Sequence, residues 1–329
     1  MKILVIKPSS FGDIIHAHPA VRALRRAYPE SHISWLVFDS FAPLVSLFPF
    51  VDRVLIWKKK AGISEVIRLV QEIRHESYDL VVDLQGLMRT ALIAVLSGAK
   101  RKIGVPGMKE FSGFLVKEPF PEMKGVHAIK RNLAAIHYLT GTTGDGDFDI
   151  ALPESAIHQA NNLLSDGSAE THLPLIGILP YVRGWSKQWP LASFHKLIEQ
   201  IIEQGECRVV VCGASRLFLP PNHPRVIDVS GKTDIPVLAA VLKRCRCVIG
   251  GDTGPLHLAA ALGVPVVGIY GGSDVVETAP YGAEVKVLYK AYPCAPCRSH
   301  PTCSDQRCLM AITLDDVLLA TNKLLKGKI

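Results

Sequence analysis

Short apolar runs alternate with amphipathic stretches along most of this chain. KILVI (2–6), ISWLVF (33–38), RVLIW (53–57), DLVVDLQG (79–86) and RKIGV (101–105) read as strands rich in β-branched residues. Between them the apolar period lengthens to that of a helix. Ile14, Ala17, Val21 and Leu24 share one face over 13–27, with Pro19 a candidate kink, and further helices are expected at 41–50, 64–76, 88–97 and 128–140. The stretch 106–127, rich in Pro, Gly, Phe and Lys, reads as a long surface loop. A second alternation runs through PLIGILP (174–180), CRVVVCG (207–213), VIDVSG (226–231), CVIG (247–250) and VVGIY (266–270), with helices at 191–204, 234–244, 255–262 and 314–325. Strands that alternate with helices specify doubly wound parallel sheets, so the fold class is α/β with two Rossmann-like halves facing a central cleft. The expected domains are 1–155 and 170–312, followed by a C-terminal helix, 313–329, that packs back towards the first. Ligands are expected at the carboxyl ends of the strands.

The stretch 248–273, VIGGDTGPLHLAAALGVPVVGIYGGS, is the most distinctive joint in the pattern. Gly250 and Gly251 are expected to turn the chain, Asp252 or Thr253 to cap the next helix, and Pro255 to occupy its first turn. Gly263 ends that helix. Such a joint presents backbone N–H groups at the positive end of a helix dipole, which suits phosphate. Loop chemistry alone weighs this equally against an ordinary capped joint.

With 329 residues there is chain enough for two cores, and 48% hydrophobic with 20% charged residues is ordinary for a soluble globular protein. MKILVIKPSS lacks the features of a signal peptide, and Gly, Pro, Asp or Arg interrupts each long apolar run. A cytoplasmic location is therefore expected, with the eight cysteines as thiols or metal ligands rather than disulfides. The net charge of +7 is uneven: residues 1–131 hold 20 Lys/Arg against 12 Asp/Glu, and 132–329 hold 17 against 18. That bias points to an anionic partner for the first half, either a phosphorylated substrate or an anionic membrane surface. Nucleic acid is the weakest partner, because no module signature is present and aromatics do not interleave with the basic residues.

Several groups are candidates for chemistry. Asp13 is the sole acid in the loop after the first strand and suits a general base, although Asp is also a preferred helix cap. Lys187, in RGWSKQWP, suits phosphate oxygens, against the alternative of a solvated lysine. His257 faces either a ligand or the core. Lys58, Lys59, Lys60, Arg89 and the basic cluster at 100–102 form either an anion-facing rim or a solvated face. Cys294, Cys297, Cys303 and Cys308 suggest structural zinc, but their spacing matches no standard ribbon or finger, which favours free thiols. Neither G-x-G-x-x-G after the first strand nor G-x-x-x-x-G-K-[ST] occurs. A dinucleotide redox enzyme and a nucleoside triphosphatase therefore lack their phosphate loops, and a nucleoside diphosphate attached to another group remains.

KPSSFGDIIHAHPAVRALRRAYP, DLQGLMRTA, SKQWP and GGDTGPLHLAAALGVPVVGIYGGSD together resemble the bacterial heptosyltransferases of glycosyltransferase family 9, in the right order and over essentially the whole length. The N-terminal motif is most like type I members, and the cysteine-rich segment is similar to type II. The resemblance implies GT-B architecture and inverting transfer of L-glycero-D-manno-heptose from ADP-heptose to the Kdo/heptose inner core of lipopolysaccharide, without a metal or other cofactor. It implies Asp13 as the base and Lys187, Asp252, Thr253, Gly254 and His257 on the donor side. Ser10, Lys58, Lys59, Lys60, Gln85 and Arg89 would meet an anionic Kdo–lipid A acceptor. Segments 41–50 and 106–124 are the candidates for peripheral contact with the cytoplasmic face of the inner membrane, with core packing an equal reading of the first. One departure is Leu217, near the position where family members often place an acid for the ribose. Another nucleotide sugar is the alternative donor, and a two-lobed sugar-binding protein is the alternative from a different class.

Overall fold

The computed structural model describes residues 1–104, 123, 125–165, 172–214, 218–297 and 306–326. The chain divides into two units, Met1–Ala151 and Leu152–Ile329. The first alternates β1 (Lys2–Ile6), α1 (Phe11–Ala27), β2 (His32–Phe38), α2 (Ala42–Val45), β3 (Arg53–Trp57), α3 (Ile63–Glu76), β4 (Leu80–Asp83), α4 (Met88–Leu96), β5 (Arg101–Gly104) and α5 (Ala128–Thr140). Its sheet is parallel, in the order β3-β2-β1-β4-β5. The second unit opens with α6 (Glu154–Leu164), β6 (Leu175–Leu179), α7 (Leu191–Glu203), β7 (Arg208–Val211), β8 (Val226–Asp228) and α8 (Ile235–Arg244). It continues with β9 (Cys247–Gly251), α9 (Gly254–Ala261), β10 (Val266–Tyr270), α10 (Val275–Thr278), β11 (Val285–Tyr289), α11 (Arg307–Met310) and α12 (Leu314–Lys326). Its sheet, also parallel, runs β11-β10-β9-β6-β7-β8. The expected α/β class is thus what the chain forms. Ile3, Leu4, Val5 and Ile6 of β1 are all fully buried, as a strand covered by helices on both faces requires.

Each sheet reverses its winding once. In the first, β1 leads to β2 on one side while β4 leads to β5 on the other; β6 and β9 do the same in the second. The loops after such a strand pair diverge, and the crevice left at their carboxyl ends is where open α/β sheets take ligands.

Three local expectations change. The region 41–50 is not one helix: α2 covers only Ala42–Val45, and Leu47, Phe48 and Phe50 turn into the core. Their apolar surface is spent on packing rather than offered to a membrane. The other expected membrane segment, 106–124, lies outside the described residues except for Met123. The edge strand β11 went unrecognised because Lys286 interrupts its apolar run and its residues are mostly half-buried. At the C-terminus, α12 lays Val317, Ala320 and Leu324 into the core of the second unit, beside Leu309 and Ile312.

Candidate active site

In the first unit the groups collect at the carboxyl ends of the strands. Ser10 stands at the N-cap of α1, and its backbone N–H and its hydroxyl both donate to Asp13 Oδ2, at 3.0 and 2.6 Å. Asp13 Oδ1 makes no hydrogen bond among the described residues, and the side chain is exposed. The N-cap is thus Ser10 rather than Asp13, whose Oδ2 closes the helix end from the third helical position while Oδ1 is left without a hydrogen bond among the described residues. Crowding by the surrounding protein pushes the Asp13 carboxyl up, but the Lys7 charge, the Ser10 hydrogen bonds and His16 outweigh it and hold it below its ordinary value. Ser10 thereby orients the acid; its hydroxyl is committed to Asp13.

Lys7 and Asp83 are buried charged neighbours of these groups that sequence reasoning missed. Buried Lys7 donates to the Leu84 carbonyl at 2.9 Å. Asp83, fully buried at the end of β4, accepts the N–H groups of Gln85 and Gly86 at 2.9 and 3.1 Å and the Thr90 hydroxyl at 2.9 Å. Burial raises its pKa, against those hydrogen bonds and the Lys7 charge. Asp83 thus shapes the loop that presents Gln85 and starts α4. The available signal was a polar residue ending an otherwise apolar strand. Gln85 is half-buried, and its Oε1 has no hydrogen-bond partner among the described residues. The Arg89 guanidinium lies 5.4 Å from the Phe38 ring and 5.9 Å from the Trp57 ring, at the ends of β2 and β3. Lys58 pairs with Glu65 at 2.8 Å, and Lys59 and Lys60 are exposed.

The second switch point joins Lys187 to Asp252. Gly250 and Gly251 are the last residues of β9 rather than the expected turn. A Cβ on Gly251 would meet Val182 Cγ1 at 2.6 Å and the Lys187 carbonyl at 3.2 Å, so glycine lets the 182–187 segment cross the strand end. Lys187 Nζ then donates to Asp252 Oδ2. The same carboxylate accepts the hydroxyls of Ser273, at 2.5 Å, and Tyr270, at 3.4 Å, and His257 Nε2 lies 3.3 Å from it. Burial pushes the Asp252 carboxyl up, but the His257 hydrogen bond and the Lys187 charge hold it well below the usual range. Burial and Asp252 together push the Tyr270 phenol well up.

Of the two capping candidates it is Thr253 that takes the position. Asp252 is turned into this network, and Thr253 holds the N-cap of α9 without a side-chain hydrogen bond. Tyr270 and Ser273 were missed because they become neighbours of Asp252 only through the β9–β10 register, which sets Gly251 against Ile269. His257 is buried, as one of its two readings held.

Among the described residues, no group of three or more His, Cys, Asp or Glu side chains is arranged to hold a metal ion. Cys294 is a half-buried thiol, Cys297 is half-buried and Cys308 is buried; Cys303 and Leu217 lie outside the described residues. No helix of the described residues is long and apolar enough to cross a membrane.

The family profile "Glycosyltransferase family 9 (heptosyltransferase)" matches residues 66–307. The chain belongs to glycosyltransferase family 9. It is accordingly a glycosyltransferase. Among relatives of this family 9 enzyme, lipopolysaccharide heptosyltransferase 1 of Pseudomonas aeruginosa is 28% identical over 325 residues, 93% of this chain and 88% of that one. Lipopolysaccharide heptosyltransferase 3 of Escherichia coli K12 is 27% identical over 332 residues, 95% of each chain. These near-equal matches do not single out type I. E. coli heptosyltransferase WaaC, solved with ADP-2-deoxy-2-fluoro heptose, has a TM-score of 0.74 at 21% identity, with 98% of this chain and 99% of that one covered. That likeness identifies the fold as GT-B, built from two Rossmann-like α/β units.

Proposed function

We propose that this family 9 enzyme transfers heptose from ADP-heptose to the inner core of lipopolysaccharide, with inversion and with Asp13 as general base. A place in lipopolysaccharide core assembly is supported by the relatives, which are heptosyltransferases of that glycolipid. The observation that carries the mechanism is the division of labour at Asp13, where Oδ2 is held by Ser10 and Oδ1 is left for a substrate. An acceptor hydroxyl gives its proton to Oδ1 as its oxygen bonds to the anomeric carbon. The anomeric carbon–phosphate oxygen bond breaks on the opposite face, and its electron pair leaves with ADP. A base kept ionised in this way is ready at neutral pH, at some cost in proton affinity.

Charge that grows on the departing diphosphate is met by Lys187 and by the α9 N-terminus at Thr253 and Gly254. Asp252 is a carboxylate and would repel a phosphate placed against it, so its part is to hold Lys187, with Ser273, Tyr270 and His257 holding Asp252 in turn. Lys59, Lys60, Gln85 and Arg89 are the acceptor-side groups, with Lys58 shared with Glu65. No cofactor enters the reaction.

Incubation with ADP-heptose, with and without a Kdo-bearing acceptor, tests the reading through released ADP. Acceptor-dependent release is expected. Tight binding without release, or release only from another nucleotide sugar, would overturn it.

A further inference from the structure

Of the four tryptophans in the chain, Trp35, Trp57 and Trp189 are buried, whereas Trp185 is 47% exposed. The Trp189 indole donates to the Ile312 carbonyl at 3.2 Å and meets the Phe194 ring edge-on. The Trp185 indole makes no hydrogen bond and no ring contact among the described residues. Its main chain is the opposite case. Residues 185–187 form one short 3₁₀ turn that is held from several sides. The Gln306 side-chain amide donates to the carbonyls of Trp185 and Gln188. The Gly272 N–H donates to the Ser186 carbonyl at 3.1 Å, and the Gln188 amide donates to the Pro180 carbonyl at 2.6 Å. A large flat side chain thus stands in solvent on a backbone with little freedom. Exposure of a single aromatic is ordinary, but the position of this one is informative. Trp185 lies two residues before Lys187, in the same turn. A turn fixed beforehand lowers the ordering cost that a ligand would otherwise meet on binding.

We propose that Trp185 is the platform on which the transferred sugar of the donor lies, with the indole face against the C–H face of the sugar ring. This rests on the donor reading above, which sets Lys187 at the phosphate that departs from the anomeric carbon. The sugar is joined to that phosphate through a single oxygen, whereas the adenine lies beyond the second phosphate and the ribose. A side chain two residues from Lys187 therefore meets the sugar sooner than the base. Covering the ring's C–H groups with an indole removes apolar surface from water and leaves the hydroxyls at the ring edge for polar partners. Trp185 accordingly contributes to the choice of sugar and leaves recognition of the nucleotide to other groups.

Calorimetry of the full chain with ADP and with ADP-heptose, without acceptor, tests the platform in Trp185→Ala and Trp185→Phe. The hydrogen bonds at residue 185 are made by its main chain, so both variants retain them. Trp185→Ala should weaken ADP-heptose binding at least about fivefold and change ADP affinity by less than about twofold, and Trp185→Phe should recover most of the loss. ADP-heptose, and not ADP, should also change the fluorescence that Trp185 contributes, read as the difference between the parent and Trp185→Phe. Equal loss for ADP and ADP-heptose would overturn the proposal and put the indole against the nucleoside. Unchanged affinity for both would overturn it while leaving the donor reading intact. A parent that binds neither ligand would refute the donor reading, and the platform with it.

Discussion

Two carboxylates near the ends of strands differ in how their oxygens are occupied. Asp13 keeps Oδ1 open, whereas Asp252 is enclosed by Lys187, His257, Tyr270 and Ser273. Asp13→Asn should lower turnover by about two orders of magnitude or more while ADP affinity, read by calorimetry, stays unchanged; near-normal turnover would remove it as the base. Ser10→Ala has a subtler signature. The Ser10 hydroxyl lowers the Asp13 pKa, so its loss should raise that pKa and move the acid limb of the kcat profile to higher pH. At the donor side, Asp252→Asn should weaken ADP binding about tenfold, since Lys187 loses the charge that positions it. Combined with Lys187→Ala it should add little, because both changes break one pair.

Elements meet the site through contacts that single residues make possible. Gly251→Ala drives a methyl group into Val182 and the Lys187 carbonyl and should cost about 1–3 kcal/mol in denaturant unfolding, with ADP affinity falling alongside. On α1, His18 is fully buried with Nε2 2.7 Å from the Asp149 carbonyl and is ringed by Phe48, Phe50 and Phe148. Burial lowers its pKa to about 4. The unfolded chain, with a histidine pKa near 6.5, binds a proton that the folded chain refuses between those values, so stability should fall as pH drops through that window. The loss amounts to roughly 3 kcal/mol at most. His18→Gln cannot titrate, and its stability curve should be flatter between pH values of about 6.5 and 4. An unchanged slope would mean that His18 does not carry it.

Across the whole molecule, charge and topology divide the labour. The positive excess is confined to residues 1–131, so raising salt should increase the KM for an anionic acceptor several-fold as the screening length shortens. A salt-independent KM would uncouple that excess from acceptor binding. What the sequence by itself determined was mostly local: the strand and helix alternation, Asp13 beside a helix start, Gly263 with its positive φ ending α9, and the motifs that carry the family resemblance. Each depends on residues a few positions apart, where period, capping and turn chemistry act. Only the tertiary structure decided that Lys187 grips Asp252 across 65 positions, that Tyr270 and Ser273 join them, and that Lys7 stands between the β1 and β4 loops. Such partners are set by strand order and register, which in a parallel sheet follow from how the crossover helices pack rather than from the residues on either side of the group itself.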